Sequence, residues 1–382
     1  MAIQTILTRN FVLCFFAQVS FTSVFHILIP TLPIYLSQGG ADEMEIGILI
    51  GALGVSSLIF RPFVGRALLT VPEKKFMITG AVLFLLTSAA FLWISPFLPF
   101  LIVRIIQGIG FALFYTATIT LVAGISPESH RGQSLSYFFM AFNVSFALFP
   151  SFGMFIINRF NFTFLFLICI ALSLCCLWIT SKLKIQSVHP VGSSVGEGGL
   201  FSRKALPPAI MYFFAHIIWG TLTAFFPLYS IQQGVSNPGF FFTAYAIVLL
   251  LSRALGGKIL DLYSREKVLL PCLTTYIISM TILAFSKTLP WFILVAVIWA
   301  IGNAFFLPSL VAYVIDLSGH ARGPAMGMFT ALGDLGTGLG PIIMGVILRF
   351  TSYPIMFLCL AFTSLLNLGY FYFFVRGRSQ KQ

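Results

Sequence analysis

Arg61-Pro62-Phe63-Val64-Gly65 recurs as Arg253-Ala254-Leu255-Gly256-Gly257, 192 residues further on. The echo is not isolated. Pro33-Ile34-Tyr35 with Gln38 returns as Pro227-Leu228-Tyr229 with Gln232, at an offset of 194. Gly110 returns at Gly302, Arg131-Gly132 at Arg322-Gly323, and Pro150 with Gly153 at Pro341 with Gly345. All these offsets lie between 191 and 194, so the two halves run in the same order. Both halves are almost wholly apolar. Duplicated apolar segments in parallel order are the pattern of membrane proteins built from two helical bundles.

Composition excludes most alternatives. Charged residues are 8% of the 382, against about 25% in a soluble domain. Mean hydropathy is +1.00. Such a surface must face lipid, and only helices or closed barrels span lipid. A barrel strand alternates apolar and polar residues. Here the apolar runs are unbroken over roughly 20 residues, the length a helix needs to cross the hydrocarbon. The net charge of +12 does not mark a nucleic-acid surface, because the basic residues sit in short gaps between apolar runs. With the N-terminus placed inside, only Arg159, Lys287 and Arg349 fall on the outer side, and Arg104 lies within a span. That asymmetry is the positive-inside bias, and it sets both termini in the cytoplasm. The six cysteines all lie in apolar runs without C-x-x-C spacing, which reads as packing. The first span exceeds a signal-peptide core and lacks a cleavage site, so it is expected to stay in the protein.

Twelve spans are predicted: 9–37, 43–69, 74–95, 97–126, 131–158 and 162–184, then 205–233, 237–262, 265–286, 288–318, 322–350 and 353–375. The expected fold class is an all-α integral membrane protein, with twelve transmembrane helices in two six-helix bundles related by a parallel repeat. Residues 1–184 form the first bundle and 205–382 the second. Residues 185–204, rich in Gly and Ser, read as a cytoplasmic linker. Asp42 with Glu45 three residues on reads as a capping box; an acidic ring at the outer mouth is the other reading. Asn237-Pro238 marks the matching start of the eighth span.

The repeated loops resemble those of the major facilitator superfamily. That family's loop between helices 2 and 3 reads roughly Gly-x-x-x-Asp-Arg-x-Gly-Arg-Arg and recurs between helices 8 and 9. The second copy is recognisable here in Arg253, Gly257, Asp261, Arg265 and Lys267. The first copy keeps Arg61, Gly65 and Arg66, but Leu69 stands where the acidic residue belongs. The resemblance implies a gating role for Arg61, Gly65, Arg253, Gly257 and Asp261, with Asp261 locking the cytoplasmic side at a helix N-terminus. Arg104-Ile105-Ile106-Gln107-Gly108 resembles the family's Arg-x-x-x-Gly stretch in helix 4. Gly336-Thr337-Gly338-Leu339-Gly340-Pro341 resembles the Gly-Pro stretch of its proton-coupled exporters; gating through Pro341 and close helix packing both account for it. The resemblance also implies twelve helices rocking about a central cavity, lined in part by helices 1 and 7.

Polar residues inside the spans give the candidate site. A charge at the bilayer centre costs about 2.5–3.5 kcal/mol, so it normally serves a purpose. Arg104 has Ala296 as its repeat equivalent, which favours a substrate-binding role over a scaffold role. Snorkelling to the outer boundary is the alternative. His26 and His216 occupy corresponding helices and offer ligand contacts or a proton relay, or are each satisfied by one hydrogen bond. Gln18, Gln107, Tyr115, Asn143 and Asn303 add polar contacts. The phenylalanines are read mostly as lipid-facing, with Phe225, Phe226, Phe305 and Phe306 forming aromatic cavity walls. Asp334 is the deepest carboxylate and suits proton coupling, or a structural hydrogen bond to a neighbouring helix. Asp316, near the inner end of its span, reads as a gate or cap residue.

These residues predict a secondary active transporter moving a small molecule by alternating access, and the expected form is a proton-coupled exporter of amphiphilic compounds. Proton-coupled uptake of an organic anion, or uniport, is the alternative. A membrane-embedded enzyme would need clustered nucleophile, base or metal ligands, which the five histidines do not form. A non-transporting sensor is a further alternative. No Walker sequence is present, so ATP does not drive it. The expected partners are the substrate, protons and the lipid bilayer, with no cofactor, metal or nucleic acid, in a monomer of a bacterial inner membrane.

Overall fold

The structure is a computed structural model and describes residues 7–93, 97–127, 130–184, 205–256, 262–318 and 322–376. Twelve α-helices lie among them: α1 (Arg9–Gln38), α2 (Glu43–Ala67), α3 (Glu73–Ala90), α4 (Leu98–Ile125), α5 (Arg131–Arg159), α6 (Phe162–Ser181), α7 (Leu206–Gln232), α8 (Gly239–Gly256), α9 (Arg265–Phe285), α10 (Leu289–Ser318), α11 (Arg322–Phe350) and α12 (Tyr353–Tyr370). A π-helical turn, Phe371–Val375, extends α12. The linker 185–204, Gly257 and Asp261 lie outside the described residues.

Eleven of these helices are long and apolar enough to cross a membrane. The exception is α3. It is 18 residues long and opens with Glu73, Lys74 and Lys75, so its apolar stretch begins only at Phe76.

Local chemistry sets the helix boundaries. At α2 the capping box forms in both directions: Glu45 N donates to Asp42 Oδ1 at 2.8 Å, and Asp42 N donates to Glu45 Oε2 at 3.0 Å. Asn161 Oδ1 accepts from Phe164 N at 2.8 Å and starts α6. Asn237 Oδ1 accepts from Gly239 N at 3.0 Å and starts α8. Gly40 and Gly234 take φ of +88° and +83° just past the ends of α1 and α7. Beyond them, Ala41 N reaches back to Leu36 O and Val235 N to Ser230 O, each at 3.0 Å. This is the left-handed C-terminal closure that favours glycine, and it occurs at the same repeat position in both halves.

The chain divides into two compact units. One holds residues 1–41 and 52–193; the other holds 42–51 and 194–382. Inside the first, α1 packs on α4, α5 and α6, and α3 packs on α4 and α6. Inside the second, α7 packs on α10, α11 and α12, and α9 packs on α10 and α12. The helix pairs therefore repeat along with the sequence. So do their closest approaches. Gly110 meets Gly80 on α3, where an added Cβ would lie 3.2 Å from the Gly80 carbonyl oxygen; Gly302 meets Cys272 on α9, where it would lie 3.2 Å from the Cys272 carbonyl oxygen. Small residues let membrane helices approach this closely.

The phenylalanines divide otherwise than the sequence suggests. Phe21 lies between Phe84 and Phe114, with ring centroids 4.1 and 4.0 Å away. Phe225, Phe226 and Phe306 are buried core residues rather than cavity walls, and Phe226 is enclosed by Phe241, Phe242 and Phe292. Phe155, Leu251 and Phe362 are among the exposed apolar side chains, as a lipid-facing surface requires. The sequence marks apolar helices without saying which face turns inward.

The tightest seam of the second unit is α7 against α11. A Cβ on Gly340 would press on the backbone of Ile217, and one on Gly220 on the backbone of Thr337. Gly327, earlier on α11, has nothing within 4 Å. Gly340→Val is expected to destabilise by about 1–3 kcal/mol through overpacking. Gly327→Ala is expected to be neutral or stabilising by up to about 1 kcal/mol through helix propensity. Thermal unfolding of the detergent-solubilised protein checks both signs.

Candidate functional site

In the first unit the polar interior centres on α1, α4 and α5. His26 is fully buried in the middle of α1. Its Nδ1 lies 2.5 Å from Ser145 Oγ on α5. Ser145 Oγ lies in turn 2.8 Å from Thr22 Oγ1, one turn before His26. Phe25, Phe142 and Phe146 surround the imidazole, with centroids 5.4, 4.5 and 5.1 Å away. Arg104 is 5% exposed, which removes the snorkelling reading: a snorkelling head group reaches the boundary, whereas this one donates from Nη1 to Gln107 Oε1 on its own helix at 2.5 Å. Tyr115 stacks on Phe111 at 5.2 Å, and the Arg61 guanidinium sits 5.7 Å over its ring. A residue assigned to gating thus meets one assigned to substrate. Asn143 on α5 is partly buried. Gly65 has nothing within 4 Å of an added Cβ, so no close helix contact depends on it.

In the second unit Asn303 on α10 joins three helices. Tyr276 on α9 donates its hydroxyl to Asn303 Oδ1 at 2.9 Å, and Asn303 Nδ2 donates to the Tyr245 hydroxyl on α8. Trp299 packs on Tyr245 and Trp219, at 4.6 and 5.7 Å between centroids. Arg253 Nε donates to Ala304 O at 3.4 Å. Phe305, two residues after Asn303, is partly buried. Tyr245, Tyr276, Trp219 and Trp299 were not singled out in the sequence; two tyrosines inside otherwise apolar helices were the available signal.

His216 on α7 bonds within its own helix, its Nδ1–H donating to Tyr212 O at 3.1 Å. The Tyr212 ring lies 3.9 Å from the imidazole and stacks on Phe329 of α11 at 4.1 Å. Asp334 stands on α11 at this level, because its neighbour Gly333 faces the Tyr212 ring and Gly336 faces His216 Cβ. Pro341 lies on the same helix, its ring against Gly220 and its carbonyl toward Gly47. Asp316 is an exposed ion-pair residue, 2.6 Å from Arg265 Nη2. Asp42 pairs with Arg349 at 3.2 Å, so it acts as cap and ion-pair partner together. Exposed pairs of this kind contribute about 0–1 kcal/mol.

The repeat breaks at informative points. Ser145 corresponds by the 191-residue offset to Gly336, and Asn143 to Asp334. His26 therefore finds a hydroxyl on the neighbouring helix, whereas His216 faces a glycine and turns to its own carbonyl. One half carries an amide where the other carries a carboxylate.

Residues 14–241 and 208–382 match the family model described as Major Facilitator Superfamily. The chain is 24% identical over 365 residues to the staphylopine export protein of Staphylococcus aureus, covering 91% of this chain and 89% of that one. It is 26% identical over 369 residues to multidrug resistance protein 2 of Bacillus subtilis, covering 90% and 89%. Among solved structures, the nucleoside transporter NupG superposes with a TM-score of 0.80 at 15% identity, covering 96% of this chain and 98% of that one. That likeness shows the fold.

The Asn303 bridge is open to a double-mutant cycle. Tyr276→Phe and Asn303→Leu, alone and together, are expected to show a coupling of about 0.6 kcal/mol, the typical worth of an interhelical hydrogen bond in a membrane protein. Thermal unfolding in detergent, without added substrate, measures it.

Proposed function

The chain belongs to the major facilitator superfamily and is a multi-pass membrane transporter, not an enzyme; from that premise we propose that it exports amphiphilic small molecules in exchange for protons. The observation that carries the export reading is the match along about nine tenths of the chain to two bacterial relatives named for export and multidrug resistance. Twelve membrane-crossing helices, with both termini in the cytoplasm of a bacterial cell, complete the reading. Alternating access moves the substrate. Arg104, Gln107, Tyr115 and Asn143 in the first unit, with His216, Asn303 and Phe305 in the second, supply its contacts. The aromatic groups around Asn303 and Tyr115 suit planar, apolar bodies, and the amides orient them.

Asp334 supports the coupling. It is a carboxylate in the interior of an apolar helix, between Gly333 and Gly336, which pack on Tyr212 and His216 of α7, and its charged form is costly there. A group whose proton affinity differs between two conformations ties proton movement to the conformational change. Arg61 and Arg253, with Gly257 and Asp261, serve the cytoplasmic gate.

Purified protein in liposomes with an imposed pH gradient tests this reading, with ethidium as the first amphiphilic probe. The wild type is expected to concentrate ethidium against its gradient. Asp334→Asn is expected to lose that accumulation while still moving ethidium downhill. Accumulation by the mutant equal to wild type removes Asp334 from coupling. Gradient-driven accumulation of organic anions with no movement of ethidium would favour the uptake reading. Topology is checked separately: single cysteines at Ser264 should label from the cytoplasm, and those at Gly40 and Lys287 from outside.

A further inference from the structure

We propose that His26 is a second proton-carrying group of the transport cycle, taking its proton at Nε2 while Ser145 holds Nδ1. This inference rests on the proton-coupled reading above and adds a titrating group in the first unit.

Hydrogen accounting at the relay sets the tautomer. Thr22 has one hydroxyl hydrogen, and the Gln18 carbonyl oxygen lies 2.7 Å away, where it accepts that hydrogen. Ser145 Oγ is 2.8 Å from Thr22 Oγ1 and 3.2 Å from the Phe142 carbonyl oxygen. Its own hydrogen has those two acceptors. The His26 Nδ1–H then donates to Ser145 Oγ. In the opposite arrangement Ser145 donates to Nδ1, and the ring hydrogen moves to Nε2. Nε2 is buried with no hydrogen-bond partner among the described residues. An orphaned buried N–H is the rarer and costlier defect than an unfilled lone pair. The first arrangement therefore holds, and Nε2 presents a bare lone pair.

That nitrogen is set up for one event. A proton arriving from water at Nε2 converts the ring to imidazolium and leaves the Nδ1–H to Ser145 bond in place. Leaving for water on the other side of the membrane, it restores the starting tautomer. No other bond changes. The phenylalanine rings around the imidazole leave no alternative acceptor at hand, and their faces attract a cation.

The surroundings isolate this group. The helices packed most extensively against α1 are α4, α5 and α6; α3 also meets it, through Phe84 on Phe21, and carries its charged groups Glu73, Lys74 and Lys75 at its first turn, away from that contact. None of α1, α4, α5 and α6 contains Asp or Glu. Their fixed cations are Arg104 on α4, Arg131 and Arg159 at the two ends of α5, and Arg9 at the start of α1. Their remaining titratable groups are tyrosines and cysteines: Tyr35 and Cys14 on α1, Tyr115 on α4, Tyr137 on α5, and Cys169, Cys175 and Cys176 on α6. His130 stands outside, before α5 begins. Of the side chains in these four helices, histidine alone has an ordinary titration range that reaches neutral pH. A purely structural histidine needs only its Nδ1 bond. An asparagine would supply that bond equally well, because its amide reaches the same point as Nδ1.

That equivalence gives the test. Full-length wild type and His26→Asn are reconstituted in liposomes, and ethidium and proton fluxes are recorded together. The expected result is a proton-to-ethidium ratio that falls by one in His26→Asn, with loss of the near-neutral limb of the pH profile. An unchanged ratio and profile in a folded His26→Asn overturns the proposal. Should that variant fail to fold, 15N spectra of histidine-labelled wild type decide. A His26 ring that gains a proton between about pH 8 and 5, starting from the Nδ1–H tautomer, supports the proposal. A ring that stays neutral throughout, or starts as the Nε2–H tautomer, overturns it. Failure of the wider reading looks different: the wild type then moves ethidium with no response to the pH gradient.

Discussion

Hydrocarbon offers no water to an unpaired polar group, and the whole molecule is arranged around that constraint. Backbone amides and carbonyls must pair within their own segment, so every element of regular structure among the described residues is a helix. Side-chain hydroxyls follow the same rule. Thr22, Thr31, Thr118, Thr221 and Ser173 each bond a carbonyl one turn back on their own helix. A polar side chain that departs from this habit and crosses to another helix therefore stands out. His26 to Ser145 and Tyr276 to Asn303 are two such crossings.

Between helices the driving force is close contact rather than expulsion of water. This is why glycines mark the seams. Gly110 on Gly80, Gly302 on Cys272, and Gly220 and Gly340 at the α7–α11 seam all bring backbones together where a Cβ would not fit. The scaffold repeats because these contacts repeat. The Gly-Pro stretch of α11 serves packing directly, since Gly336 and Gly340 both lie against the α7 backbone.

Much of this was legible in the sequence, for physical reasons. Unbroken apolar runs separated by caps and glycines locate all twelve helices to within a few residues. The capping box at Asp42 and the start at Asn237-Pro238 form as the sequence indicates. The faces of the helices were not legible. An apolar helix in lipid carries no strong amphipathic stripe, so Phe226 and Phe306 read like Phe155 although they are core. Partners across helices were hidden too. Nothing in the spacing of Ser145 places it opposite His26, and nothing in Asn303 announces its two tyrosines. Arg104 was visible as an anomaly, but its depth and its bond to Gln107 needed coordinates.

The repeat then separates scaffold from function. Positions that shape the scaffold are kept in both halves: the glycine closures at Gly40 and Gly234 and the crossings at Gly110 and Gly302. Positions inside the units that carry polar chemistry are not kept. Arg104 faces Ala296 across the repeat, Gln107 faces Trp299, Asn143 faces Asp334, and Ser145 faces Gly336. A duplicated fold in which every buried polar group were needed only for stability would have no reason to lose half of each pair. Titratable side chains inside the helices differ as well: His26 stands in one half, His216 and Asp334 in the other, each with a different set of neighbours. The first unit gives its histidine a hydroxyl and a phenylalanine cage; in the second, Asp334 follows a glycine that packs on Tyr212. The asymmetry, more than any single residue, sets the polar interiors of the two copies apart on a shared scaffold.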